Sequence, residues 1–232
     1  MMESVQQFIF TFSIVPVVVA TLVGLARYRR LGPAPRYLVP LLLACLLVEI
    51  VARTLRHYHR PNLFLAPIDT ALEFTFLALM YRRALWPSAL SRCIPLLLAG
   101  FLLGSALTYS PRLDVAQFSP VQHFIESVLV LAFVGSYFYR EATRKTVTRR
   151  LEREPMLWIS AALLLYFLSN SFIFLSSNYV LNLSEELSRQ VWAIHGVLYI
   201  FTNVLYTIAL CVSPVNAQPA DAPAPVPRVT QS

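Results

Sequence analysis

Charge is scarce in this chain. Only 13% of its 232 residues are Asp, Glu, Lys or Arg, about half the share of an ordinary soluble domain. With 57% hydrophobic residues and a mean hydropathy of +0.60, the composition excludes a water-soluble fold and predicts a membrane protein. Cysteine is scarce as well. Cys45, Cys93 and Cys211 are scattered and form no CxxC pair, which excludes a disulfide framework and a cysteine-based zinc site and leaves three buried thiols. The chain has no P-loop, no GxSxG elbow, no HExxH pair and no kinase signature, so the chemistries those motifs carry have no foothold. The net charge of +7 does not point to nucleic acid, because the basic residues punctuate apolar runs and form no stripe. The first seven residues hold no Lys or Arg, and the apolar run after them exceeds a signal-peptide core. It is expected to be a retained first transmembrane helix.

What fills the chain is seven long apolar runs, at about 5–26, 37–55, 63–80, 93–109, 118–139, 155–176 and 187–212. Seven spans of about 20 residues use roughly 140, which leaves short loops, one tail and no room for a soluble catalytic domain. The expected fold is all-α, a polytopic bundle of seven transmembrane helices over 1–212. Pro40, Pro67, Pro95, Pro120 and Pro155 fall in the first turns of these runs, where a missing N–H breaks no helical bond. Pro16 falls mid-run and predicts a kink. Residues 213–232 hold five prolines among Ala and Val and read as a disordered cytoplasmic tail.

Orientation follows from the basic residues. Fourteen of the 19 Lys and Arg lie in the segments after runs 1, 3 and 5 and in the tail. That side is expected to be cytoplasmic, with the N-terminus outside, the C-terminus inside and the cell's inner (cytoplasmic) membrane as the location. The basic segment from Arg140 to Arg153 is the longest charged stretch; it fixes topology and meets anionic lipid headgroups.

Five of the runs carry polar side chains where lipid is expected: Glu49 and Arg53, Asp69 and Glu73, His123 and Glu126, Asn170, and His195 and Asn203. An ionisable residue near a span centre costs about 2.5–3.5 kcal/mol on insertion scales and marks a candidate site. At 1.5 Å per residue, the threaded runs place nearly all of this set in the outer half of the membrane. Glu49 and Arg53 are i, i+4 and form an ion pair on one face. Asp69 and Glu73 are also i, i+4, so two like charges meet and need a cation, a shared proton or an arginine from elsewhere. His123 and Glu126 are i, i+3. Trp192, His195, Tyr199, Asn203 and Tyr206 form one stripe at helical spacing, and run 6 adds Tyr166 to Asn170. Runs 1 and 4 lack charges through their cores, so they are expected to face lipid while runs 2, 3, 5, 6 and 7 enclose the polar set.

Three functions fit this pattern. The first is a sensory or receptor-like module in which the polar set binds a small ligand, an ion or a proton. The second is an intramembrane hydrolase acting on a lipid-like substrate, either by acid–base chemistry or with a divalent metal. Carboxylate and imidazole suit zinc, iron or manganese, with Glu73, His123, Glu126 and His195 as the ligands. No cofactor is required by the first reading. The third, a small transporter, is disfavoured because polar residues thin out toward the cytoplasmic half and no inverted repeat is visible. A structural network without a ligand is the bland reading of the same residues, and an ordinary interfacial loop is the bland reading of His57 and His59.

The segments Ile68-Asp69-Thr70-Ala71-Leu72-Glu73-Phe74, Pro155-Met156-Leu157-Trp158-Ile159 with Tyr166-Phe167, and Trp192-Ala193-Ile194-His195 with Asn203 and Tyr206 resemble a group of uncharacterised bacterial seven-helix membrane proteins. They are also similar to the seven-helix sensory modules attached to, or encoded beside, sensor histidine kinases. The resemblance covers roughly residues 60–210. It implies a signal-receiving membrane module with no catalysis of its own, working through a separate partner such as a histidine kinase.

Overall fold

The computed structural model describes residues 12–109, 120–143, 151–180 and 185–212. Among them are seven α-helices and no strand: α1 (Ile14–Arg27), α2 (Leu38–His57), α3 (Leu65–Ala84), α4 (Ala89–Thr108), α5 (Pro120–Thr143), α6 (Pro155–Val180) and α7 (Glu185–Val212). The beginning of the first apolar run, the segment 144–150 and the proline-rich tail lie outside the described residues.

Four helical segments are long and apolar enough to cross a membrane: Pro35–His57, Ala89–Thr108, Val121–Thr143 and Ala193–Val212. Pro155–Ser171 is a shorter apolar helix. The described part of α1 has 14 residues, about 21 Å at 1.5 Å per residue, less than a bilayer core. Helix α3 is long enough, but Asp69, Glu73, Arg82 and Arg83 interrupt its apolar surface. The outward faces are those of a membrane protein. Leu22, Leu47, Leu96, Leu103 and Leu107 are all more than 60% exposed, an apolar surface that water would not tolerate and lipid does.

Proline and polar caps set the helix starts. Pro120 and Pro155 each occupy the first helical position, and Pro40 and Pro67 the third. Helix α4 differs from its expected course. It begins at Ala89, capped by Ser88, whose Oγ accepts from the Ser91 N–H at 3.2 Å. This extra turn puts Pro95 inside the helix. Phe12 is helical and Ser13 forms a turn before α1 begins. That break falls where the Pro16 ring and its missing N–H forbid a helical bond to Phe12.

At its other end α2 closes with a left-handed residue. The Arg60 N–H donates to the Leu55 carbonyl at 2.8 Å and the His59 N–H to Arg56 at 3.0 Å. His59 has φ 53°. This is the six-to-one and five-to-two pattern of a Schellman cap, with histidine where glycine is usual. His59 therefore has a backbone task, and His57 packs edge-on against Tyr58 at 5.4 Å.

Six helices close into a ring in which α1 packs on α2, α2 on α3, α3 on α5, α5 on α6, α6 on α7, and α7 back on α1. Helix α4 stands outside the ring against α3. Gly24 allows the close approach of α1 to its neighbours: a Cβ there would lie 3.1 Å from Val39 Cγ2 and 3.4 Å from Leu210 Cδ1. One half of the ring is packed with apolar side chains. Phe74 meets Phe101 at 4.3 Å and Phe133 at 6.1 Å, and Tyr81 meets Phe133 at 6.0 Å. The Tyr81 hydroxyl is fully buried and hydrogen-bonds Ser160 Oγ at 2.8 Å, tying α3 to α6.

Candidate functional site

The other half of the ring holds a cavity of about 130 Å³ lined from four helices. Helix α3 contributes Ala66, Asp69 and Glu73, α5 contributes His123, Glu126 and Ser127, α6 contributes Tyr166, Phe167 and Asn170, and α7 contributes His195. Helical spacing explains the selection. Ala66, Asp69 and Glu73 advance by three and then four residues along one face of α3, and Glu126 and Ser127 lie three and four residues beyond His123 on one face of α5. Tyr166 and Asn170 share a face of α6 by the same rule.

Both imidazoles are held by neighbours. Thr70 Oγ1 gives its single proton to the Ala66 carbonyl at 2.9 Å. Its lone pairs then receive a His123 ring N–H, with Nδ1 at 3.1 Å. His195 Nδ1 and Asn170 Oδ1 are 2.9 Å apart. The amide oxygen can only accept, so Nδ1 donates in this contact. The Tyr166 ring lies 5.8 Å from His195 and 6.5 Å from Tyr199, forming an aromatic wall.

The carboxylates are less well provided for. Glu126 is 1% exposed, and its Oε2 lies 3.7 Å from His123 Nδ1, beyond hydrogen-bond length. Glu126 Oε1 and Asp69 Oδ1 are buried and have no hydrogen-bond partner among the described residues. Among the described residues no Arg or Lys lines the cavity, so none of them supplies the arginine that would neutralise Asp69 and Glu73.

The structure brings six of the nine expected site residues into this cavity: Asp69, Glu73, His123, Glu126, Asn170 and His195. Glu49 and Arg53 lie elsewhere. They form their own ion pair at 2.6 Å, about one-third exposed on each side, and Arg53 Nη2 also donates to Ser13 Oγ at 3.1 Å on the N-terminal side of α1. The i, i+4 spacing that pairs them also satisfies them away from the cavity. Asn203 does not line it either. It is eight residues beyond His195, about 12 Å down the helix, and its Nδ2 donates to the Tyr199 carbonyl at 2.9 Å.

Helix α2 was expected to enclose the polar set and gives no side chain to the cavity. Helix α4 lies peripherally as expected, whereas α1 is a member of the ring. Along α7, Asn203 and Tyr206 are buried; the Trp192 side chain lies outside the described residues. The four residues named for a metal, Glu73, His123, Glu126 and His195, do share the cavity. Among the described residues, however, no three His, Cys, Asp or Glu side chains are arranged to hold a metal ion.

Tyr166, which helical spacing groups with Asn170, is the aromatic wall. Two further polar residues escaped the sequence reading as parts of the site. Thr70 orients His123. Gln122 joins three helices at the same end, its Nε2 donating to the Pro67 carbonyl and to Ser105 Oγ, both at 3.0 Å. Their signal was position: Thr70 lies between Asp69 and Glu73, and Gln122 precedes His123.

Comparison with known proteins finds no matching family, no matching curated protein and no matching solved structure.

Proposed function

We propose that this chain is a seven-span inner-membrane protein acting as a sensory, receptor-like module, with its N-terminus outside and its C-terminus in the cytoplasm. The cavity between α3, α5, α6 and α7 is the ligand site, reached from the outer side. Occupation of the site shifts helix packing, and the basic cytoplasmic segments report the shift to a separate partner such as a histidine kinase. The distribution of basic residues supports the orientation, since Arg29, Arg30, Arg82 and Arg83 close helices on one side. The resemblance to seven-helix sensory modules supports the partner.

One observation carries the reading: buried carboxylate oxygens that have no partner among the described residues line a cavity beside a packed aromatic cluster. A structural network would satisfy its own members. A transporter would need polar groups continuing past Phe74 and Phe133, and both of these are fully buried in apolar packing. A metal hydrolase would need a ligand set that the four named residues do not form.

Two measurements test this. With single cysteines at Tyr58→Cys and Arg29→Cys in an otherwise cysteine-free chain, a membrane-impermeant maleimide applied to intact bacteria should label the first and spare the second. The reverse labelling would overturn the orientation. For the sensory role, the partner is captured by cross-linking in native membranes from the wild type, Glu73→Gln and Glu126→Gln. A change in its yield or downstream response supports the reading, and identical yield and response in all three sink it.

A further inference from the structure

We infer that the cavity takes a small protonated organic amine of about four to six non-hydrogen atoms. The inference rests on the cavity being a ligand site, as proposed above, and adds the chemical class of the ligand. Charge comes first. Asp69, Glu73 and Glu126 bring three carboxyl groups to one cavity and no Arg or Lys among the described residues lines it, which favours a cation over an anion. Hydrogen bonding comes next. Asp69 Oδ1 on α3 and Glu126 Oε1 on α5 are buried acceptors with no partner among the described residues, and Glu126 is 1% exposed. A buried acceptor left without a donor costs about 1–3 kcal/mol or more. An ammonium group carries three donors on one atom and can serve acceptors that arrive from two helices.

Size and shape separate an amine from a bare metal ion. The cavity of about 130 Å³ is close to the roughly 150 Å³ that accommodates benzene in an engineered protein cavity, far more than a single ion needs. The His, Cys, Asp and Glu side chains among the described residues form no three-ligand group. The rest of the lining suits carbon. Ala66 and Phe167 are apolar, and the Tyr166 ring, with His195 at 5.8 Å, offers a π face of the kind that attracts alkylammonium groups.

The test uses the full-length protein purified in lipid nanodiscs, titrated calorimetrically with n-propylammonium, its neutral isostere n-propanol, sodium and zinc. Saturable binding of n-propylammonium is expected, at least ten-fold tighter than n-propanol or sodium and at least ten-fold weakened in Glu126→Gln and in Asp69→Asn. The wild-type comparison needs no variant, so a misfolded variant cannot decide the result. No saturable binding of the amine, equal binding of the alcohol, or tighter stoichiometric binding of zinc each overturns the inference. If the amine fails while Glu126→Gln still alters partner capture, the cavity remains the sensory site for a different ligand. If the amine binds and partner capture is indifferent to the variants, the ligand class holds and the sensory role falls.

Discussion

The same helices present two different interiors. Toward one end, α3, α5 and α6 bury Phe74, Leu77, Tyr81, Phe133, Val134, Ile159 and Leu163, and the polar pair present, Tyr81 with Ser160, is satisfied at 2.8 Å. Toward the other end, the same helices and α7 bury carboxylates, imidazoles and an amide around a cavity, and two carboxylate oxygens have no partner among the described residues. On α5 Glu126 and Phe133 lie about two turns apart, whereas on α3 Glu73 and Phe74 are consecutive and differ by rotation about the helix axis. The aromatic half is built for one arrangement, while the polar half is left incomplete, and incompleteness is what a binding site requires of a fold. Stability is expected to reside in the first half and ligand response in the second.

The largest effect that could break this division is in the aromatic half. Phe133 is fully buried between Phe74 and Tyr81, so Phe133→Ala should destabilise the bundle by about 3–5 kcal/mol, read as a lower thermal midpoint or earlier unfolding in a denaturing detergent. A loss under about 1 kcal/mol would mean that this half is not the stability core.

The polar half should respond with the opposite sign. Glu126→Gln replaces a buried carboxylate, one oxygen of which has no hydrogen-bond partner among the described residues, by a neutral amide that can also donate. The expected change is a gain of about 1–2 kcal/mol in stability, together with the loss of cation binding described above. A stabilised protein that no longer responds separates the two interiors. If Glu126→Gln instead destabilises the bundle by as much as Phe133→Ala, the cavity is a structural network and the comparison fails.

Much of this was legible in the sequence, and the reasons for success and failure are local. The helices are visible because their apolar runs are long and bounded by proline and arginine, and all seven run ends fall within four residues of the observed helix ends. Helix α4 was started late because Pro95 looks like a first-turn proline, while the cap that starts the helix is the less conspicuous Ser88. Asp69, Glu73, His123, Glu126, Asn170 and His195 could be grouped by depth alone, since depth along a span is counted in residues. Rotation about each helix axis is not counted that way. Glu49 and Arg53 have the right depth on a face that turns to α1, and Asn203 lies too far down α7. Thr70 and Gln122 were passed over because small or neutral polar residues carry no cost signal in an apolar run, although they hold His123 and α5 in place.

A smaller effect sharpens the aromatic half. Tyr81→Phe keeps the ring between its neighbours and removes only the hydroxyl that Ser160 holds. The expected cost is about 1 kcal/mol, seen in the same unfolding measurement and with unaltered ligand affinity. A large change in affinity would mean that the link between α3 and α6 sets the cavity's shape, and the two halves would then be coupled.

The smallest expected effect concerns the residues whose depth suggested the site and whose side chains lie outside it. Glu49 and Arg53 are about one-third exposed at 2.6 Å, so their pair is partly screened, and surface-type pairs contribute only about 0.2–1 kcal/mol. Arg53 retains Ser13 as an acceptor when Glu49 is changed, which lowers the cost further. Glu49→Gln should therefore reduce stability by less than about 1 kcal/mol and leave n-propylammonium affinity within two-fold of the wild type. Its value lies in being a matched control. It removes one carboxylate from the same half of the bundle as Glu126→Gln, so any difference between the two variants reports the cavity and not the loss of a negative charge. If Glu49→Gln weakens amine binding as strongly as Glu126→Gln does, the long-range field of the polar half holds the cation, and Asp69 Oδ1 and Glu126 Oε1, which have no partner among the described residues, lose their special standing.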